Sequence, residues 1–248
     1  PARGRRWHEQ ALARAVRRAS RCIVPTERVA GELVDAGVRP SALTIVPLGA
    51  DHLPPPDHAA GSRLLGRLGV RGPFLLNVGT LEPRKNHERL LEAYRRVRPR
   101  LPEPWPLVMV GPTGWGRRLE AQEGVVFAGL VSPEELSSLY GTARLLAYVP
   151  LVEGFGLPPV EAMVAGLPVV ASPIPSTAGA AFEVDPLSSE SIAEGLLQVG
   201  TDDALRSRLV GLGSIRAAEL RWSSIARQHI SVWQSAAAEL RSGAAGRG

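Results

Sequence analysis

"FLLNVGTLEPRKNHERLLEAYRRV", residues 74–97, decides the fold. Its first six residues are an apolar run suited to a buried strand, ending at Gly79. A short polar loop follows. Then "HERLLEAYRRV" sets Leu90, Leu91, Tyr94 and Val97 on one helical face, with Asn86 at the N-cap position. A strand passing through a short loop into a helix is the repeating unit of a parallel sheet. The unit recurs downstream. "LVMVG" (107–111), "VVFAG" (125–129), "RLLAYV" (144–149) and "LPVVAS" (167–172) read as strands. "SPEELSSLY" (132–140) reads as a helix capped by Ser132, with Pro133 at its first position and Glu135 at the capping-box position. "PPVEAMVAG" (158–166) reads as a short helix. The expected fold class is therefore α/β: a parallel sheet with helices on both faces.

Upstream, "CIVP" (22–25) and "LTIVPL" (43–48) read as strands around a helix in "TERVAGELVDAG" (26–37), with Val29, Leu33 and Val34 on a shared face. Three consecutive prolines, Pro54 to Pro56, mark residues 51–61 as a semi-rigid linker. The expected organisation is a first segment 1–50, the linker, a main domain 62–220, a long amphipathic helix 221–241 and a frayed tail 242–248. In that helix Ile225, His229, Val232 and Trp233 have packing spacing.

The 248 residues are 44% hydrophobic, enough for a substantial core, and carry a formal charge of +5. Such a modest excess favours anionic ligands without pointing to nucleic acid. The first 21 residues hold seven arginines against Glu9 alone, which reads either as a solvated helix face or as a contact for an anionic membrane surface. Cys22 is the only cysteine, no apolar run reaches transmembrane length, and the N-terminus shows no signal-peptide core. A cytoplasmic setting is expected, with peripheral membrane contact as the open alternative. The five histidines lack metal-ligand spacing, so neither a metal nor another cofactor is expected.

Parallel sheets bind ligands at the carboxyl ends of their strands. The loops to read are thus those after residues 79, 110, 129 and 149. The last leads into "EGFGLPPVEAMVAGLP", 153–168. Gly154 and Gly156 let a ligand approach the backbone, Pro158 and Pro159 preset the first helical turn, and the free amides there favour an anion. Glu153 and Glu161 bracket the loop, and a carboxylate accepts hydrogen bonds from neighbouring hydroxyls. An anion between two hydroxyl-reading carboxylates fits a sugar nucleotide; two solvated glutamates beside a plain turn is the other reading. Arg84 and Lys85 belong on the same rim. Lys85 is the only lysine among 29 basic residues. It is either a phosphate-directed ammonium or a chance survivor of a strong arginine bias. "GPTGWG", 111–116, does not match the G-x-G-x-x-G dinucleotide spacing and reads as another loop on the rim.

In this order, "NVGTLEPRKNHERLLEAY", "LVMVGP", "VVFAGLVSPEELSSLY" and "EGFGLPPVEAMVAGLPVVAS" resemble the nucleotide-sugar-binding half of GT-B, family 4 retaining glycosyltransferases. The "GTLEPRKN" branch is similar to mannosyltransferases of polysaccharide assembly. The glutamates match the family's E-x7-E signature. The resemblance implies a Rossmann-like domain, the C-terminal half of a GT-B fold. It implies transfer of a hexose, with mannose from GDP-mannose as the leaning, to a glycan or lipid-linked acceptor. Arg84 and Lys85 would clamp the diphosphate, Glu153 would contact the donor sugar and Glu161 the ribose. Gly79 and Thr80 would line the donor. Gly154, Phe155, Gly156 and Leu157 would offer amides to sugar and phosphate, and Gly129, Leu130 and Val131 would line the base.

Three features depart from the family pattern. Thr80 stands where many members carry arginine, with Arg84 as the replacement. The segment between Thr177 and Ala178 is a few residues short. Residues 1–50 resemble only the last strand-helix-strand piece of an acceptor domain, so the chain is expected to be a fragment that binds donor and turns over poorly. A sugar-nucleotide epimerase of the same fold, or a non-catalytic module binding sugar nucleotides or membrane anions, are the rival readings.

Overall fold

The computed structural model describes residues 2–116, 119–120 and 122–245. The chain divides into two compact units, one of residues 50–221 and one formed by the segments before and after it. In the latter, β1 (Cys22–Val24) and β2 (Leu43–Ile45) pair in parallel, accompanied by α1 (Ala2–Arg18), α2 (Glu27–Asp35) and α9 (Trp222–Ala245). Thr26 caps α2 by accepting from the Val29 amide. Arg21 donates to the Ser41 carbonyl at 2.6 Å and pairs with Glu239 of α9. Of the expected α2 face, Val34 is exposed and Ala30 is the buried residue. On α9 Ile225 is fully buried, whereas Trp233 faces solvent. The residues expected to fray continue α9 as far as Ala245; 246–248, and the side chains of Arg3, Arg5 and Arg6, lie outside the described residues.

The larger unit is a six-stranded sheet. Its elements are α3 (His58–Arg67), β3 (Leu75–Val78), α4 (His87–Val97), β4 (Leu107–Val110), β5 (Val125–Gly129), α5 (Pro133–Thr142), β6 (Leu145–Tyr148), α6 (Leu157–Val164), β7 (Val169–Ala171), β8 (Phe182–Glu183), α7 (Ser189–Thr201) and α8 (Asp203–Glu219). The strand order is β5-β4-β3-β6-β7-β8 and every pairing is parallel. The central strands are buried on both sides, which is why they read as continuous apolar runs rather than alternating ones. Leu76, Val78, Val108, Leu146 and Val169 face one core with Leu64, Leu139 and Met163 from α3, α5 and α6. Leu75, Leu107, Met109, Leu145 and Val170 face the other with Leu90, Tyr94 and Val97 of α4 and Ile192 and Leu196 of α7. Each such side chain contributes about 1.5–3 kcal/mol on burial.

Two expectations change. The segment 51–61 is not linker throughout: α3 begins at His58, because Asp57 accepts from the amides of Ala59 (2.9 Å) and Ala60 (3.0 Å) and caps a new helix. Asn86 occupies the N-cap position of α4 but makes no capping bond. Its backbone is left-handed (φ 61°), and its side-chain oxygen accepts from the Arg89 guanidinium at 2.8 Å instead of from a helix amide. The capping box at Ser132 and Glu135 is present as expected.

Candidate functional site

The order of the sheet reverses between β3 and β6, so the chain leaves these two neighbouring strands in opposite directions. A crevice at their carboxyl ends is where such sheets take ligands. The two loops that leave there carry the candidate residues. After β3 the chain runs through Gly79 and Thr80 into a 3-10 turn, Pro83–Lys85. After β6 it runs to Glu153 and enters α6 at Gly156, whose φ of 91° few other residues tolerate. The loops are sewn together. The Leu151 amide donates to the Arg84 carbonyl at 2.8 Å, and the Asn86 side-chain amide donates to the carbonyls of Val149 (3.0 Å) and Pro186 (2.7 Å).

Glu153 is the centre of the first group. Buried at 8% exposure, it receives Lys85 Nζ at 2.8 Å and the Tyr148 hydroxyl at 2.5 Å on Oε2, and Arg84 on Oε1. Lys85 also donates to the Tyr148 oxygen at 2.7 Å and lies 5.0 Å from the centre of its ring. Arg84 pairs at 2.5 Å with Glu82 and stays 45% exposed. Burial alone would raise the Glu153 pKa, but the bonds from Lys85 and Tyr148 and the two cations hold it below the usual carboxylate range.

Glu161 is the centre of the second. Equally buried, it accepts from the Tyr140 hydroxyl at 2.8 Å on Oε2 and lies 3.3 Å from His52 Nε2 on Oε1. Here burial prevails over those partners and its pKa is raised. Its charge also adds, as the smallest cause, to the rise of the Tyr148 phenol pKa. Arg84, Lys85 and Glu153, read from separate stretches of sequence, meet in one group, while Glu161 is held in its own group by Tyr140 and His52.

The remaining residues divide. Gly79 gives room to the Lys85 stem, and a Cβ there would lie 3.7 Å from it. Thr80 is half-buried beside Gly114. Gly154 is exposed, Phe155 turns into the interior at 5% exposure, Gly156 is buried, and Leu157 opens α6. Gly129 and Leu130 line a cavity of about 1080 Å³ with Leu81, the whole of 111–116 and Phe127. Val131 does not line it; its side chain packs against the core. A second hollow of about 590 Å³ lies beside the 3-10 turn, bounded by Glu82, Asn86, His87, Arg89, Trp115 and Leu151 among others. Neither is lined by Lys85 or Glu153, whose side chains close upon each other, or by Glu161, which closes upon Tyr140 and His52.

Tyr148, Tyr140, His52 and Glu82 escaped the sequence reading. One signal was available: Tyr148 is a polar-tipped aromatic in the aliphatic run "RLLAYV". The shortened segment closes in a tight turn, with Ala178 at φ 45° and the Ala180 amide donating to the Thr177 carbonyl at 2.8 Å.

His87, at the start of α4, is 4% exposed, and burial together with the Lys85 charge lowers its pKa from 6.5 to about 4. It is neutral in the native state and protonates first in the unfolded chain. Stability is thus intact above pH 6.5 and falls by roughly 3 kcal/mol as pH drops from 6.5 to about 4. Glu161, with its raised pKa, opposes this near the lower end. Denaturant titrations should show the slope, and His87→Gln should flatten it; an unchanged slope would remove His87 as its origin.

The six-stranded parallel sheet wrapped by helices is the architecture of GT-B glycosyltransferases. The family model for "Glycosyl transferases group 1" matches residues 67–211, and the chain belongs to that family. It is 33% identical over 173 residues to the O-antigen chain mannosyltransferase B of Escherichia coli, covering 65% of this chain and 45% of that protein. It is 31% identical over 226 residues to the MMP alpha-(1->4)-mannosyltransferase of Mycolicibacterium hassiacum, covering 84% and 52%. The chain thus spans about half the length of these relatives. Among solved structures, Anabaena Alr3699/HepE in complex with UDP and glucose aligns with a TM-score of 0.75 at 23% identity, covering 91% of this chain and 66% of that one. WaaG, a glycosyltransferase involved in lipopolysaccharide biosynthesis, aligns with a TM-score of 0.63 at 20% identity, covering 79% and 58%.

Proposed function

We propose that this chain is the donor-binding part of a retaining glycosyltransferase that moves a hexose, mannose by preference, from a nucleotide diphosphate sugar to a glycan or lipid-linked acceptor. One observation carries the reading: two cations from the β3 loop and a buried carboxylate from the β6 loop meet at the point where strand order reverses. The mannosyltransferase relatives support the choice of sugar.

Glu153 pairs with Arg84 and Lys85 where a diphosphate would compete for the same two cations. Donor entry transfers part of both cations to phosphate and leaves Glu153 to accept from sugar hydroxyls. As the anomeric C–O bond breaks, charge grows on the diphosphate beside Arg84 and Lys85, and stabilising charge at that moment lowers the barrier. These two side chains supply the positive charge that a metal would otherwise bring. The acceptor oxygen bonds to the same face of the anomeric carbon, and its proton passes to the departing diphosphate. Transfer with retention follows. The 1080 Å³ cavity beside Gly129 and Leu130 suits the base.

A panel of GDP-, UDP- and ADP-sugars tests the reading by thermal shift. GDP-mannose should raise the midpoint of this chain most, and no response to any nucleotide sugar would overturn the assignment. On the same reading the protein works in the cytoplasm, with Arg14, Arg17 and Arg18 of α1 available to an anionic membrane surface. Flotation with anionic vesicles tests that separately. Among the described residues no helix is long and apolar enough to cross a membrane.

A further inference from the structure

The two carboxylates each rest on a buried tyrosine. Tyr140 ends in the Glu161 carboxylate and Tyr148 in that of Glu153. Both rings are 1% exposed. The tyrosines are eight residues apart, as are the glutamates. The Tyr148 oxygen accepts a hydrogen bond from Lys85 Nζ, so its own single proton is directed to Glu153 Oε2. In each pair the tyrosine takes Oε2, while Oε1 meets a partner that is itself open to solvent: Arg84 at 45% and His52 at 41% exposure. One oxygen of each carboxylate is thus held by a buried tyrosine and the other by a partly exposed partner.

We propose that Tyr140 and Tyr148 are positioning residues that set the specificity of the donor site: each hydroxyl locks one oxygen of a carboxylate so that the other reads a hydroxyl, Tyr148 at the sugar end and Tyr140 at the ribose end. This rests on the donor-site reading above. A phenol is suited to the task because it offers one proton on a rigid ring. Burial pushes both phenols well above their ordinary pKa, and the carboxylates push further in the same direction, so both stay protonated donors. Packing alone would need the rings and not the hydroxyls.

Tyr140→Phe and Tyr148→Phe keep the rings and remove the hydroxyls. Calorimetry would compare GDP-mannose, GDP and 2′-deoxy-GDP on the wild-type chain and both variants, with melting temperatures checking the fold. In Tyr148→Phe the preference for GDP-mannose over GDP falls about tenfold, and the ribose preference holds. In Tyr140→Phe the preference for GDP over 2′-deoxy-GDP falls about tenfold, and the sugar preference holds. Independently of ligand, carbon-13 titration of the carboxyls should move the Glu153 midpoint upward in Tyr148→Phe and that of Glu161 upward in Tyr140→Phe. Equal losses for all three ligands, or stationary carboxyl midpoints, overturn the proposal. A wild-type chain that binds none of the nucleotides refutes the donor reading, and the ligand roles of the tyrosines with it.

Discussion

In Lys85→Ala, donor affinity falls by about three orders of magnitude, ~4 kcal/mol, the loss expected when two charge-assisted hydrogen bonds to phosphate disappear. The geometry explains why no neighbour compensates. Lys85 is 10% exposed, its stem lies along Gly79, and its ammonium is aimed by Tyr148 and Glu153. Arg84 is tethered to Glu82 and Glu153 and approaches from the more exposed side. Lys85→Arg should fail as well, because a planar guanidinium does not fit a slot shaped for a point charge. Calorimetric titration with GDP-mannose checks both variants, alongside a thermal midpoint that separates lost binding from lost fold. Undiminished affinity in Lys85→Ala would take the ammonium out of the donor site.

Gly111→Ala should destabilise the chain by about 4 kcal/mol, lowering the thermal midpoint by roughly 12 °C. Gly111 follows β4, next to Gly79 after β3, at φ 144°. A Cβ there would stand 2.1 Å from the Gly79 carbonyl oxygen. That carbonyl cannot retreat, because the Gly79 amide is bonded to Val110 and the Leu81 amide to Pro112, at 2.8 and 3.0 Å. The displaced segment leads straight to Arg84 and Lys85, so donor binding should weaken with the fold. Gly129→Ala is the control. At φ 67°, with no atom within 4 Å of an added Cβ, it carries only the cost of the left-handed backbone, about 1 kcal/mol. Equal midpoints for the two variants would refute the steric account.

Much of this was legible in order along the chain. The strands after residues 74, 107 and 144 were readable because strands buried on both faces need unbroken apolar runs. The Ser132 helix start was readable because its capping box is local chemistry. Arg84, Lys85 and Glu153 stood out as charges on loops that follow strands, and Glu161 as a carboxylate on the helix after the last of them. Other features depended on distant partners. Asn86 looked like a cap, yet its amide bridges to Val149 and Pro186, which no local pattern could indicate. The inward packing of the Val131 side chain against the core likewise rests on partners distant in sequence.

The sequence by itself determined the element types, the parallel sheet and the residues able to carry charge to its rim, since propensity, capping and apolar periodicity act over a few residues. Only the tertiary structure decided that β3 lies beside β6 although β4 and β5 come between them in the chain. That adjacency brings Lys85 to Glu153 and leaves Tyr148 and Tyr140 beneath the two carboxylates. Strand order is set by which faces bury together across the whole core, a sum over contacts distant in sequence, so no single stretch of the chain encodes it.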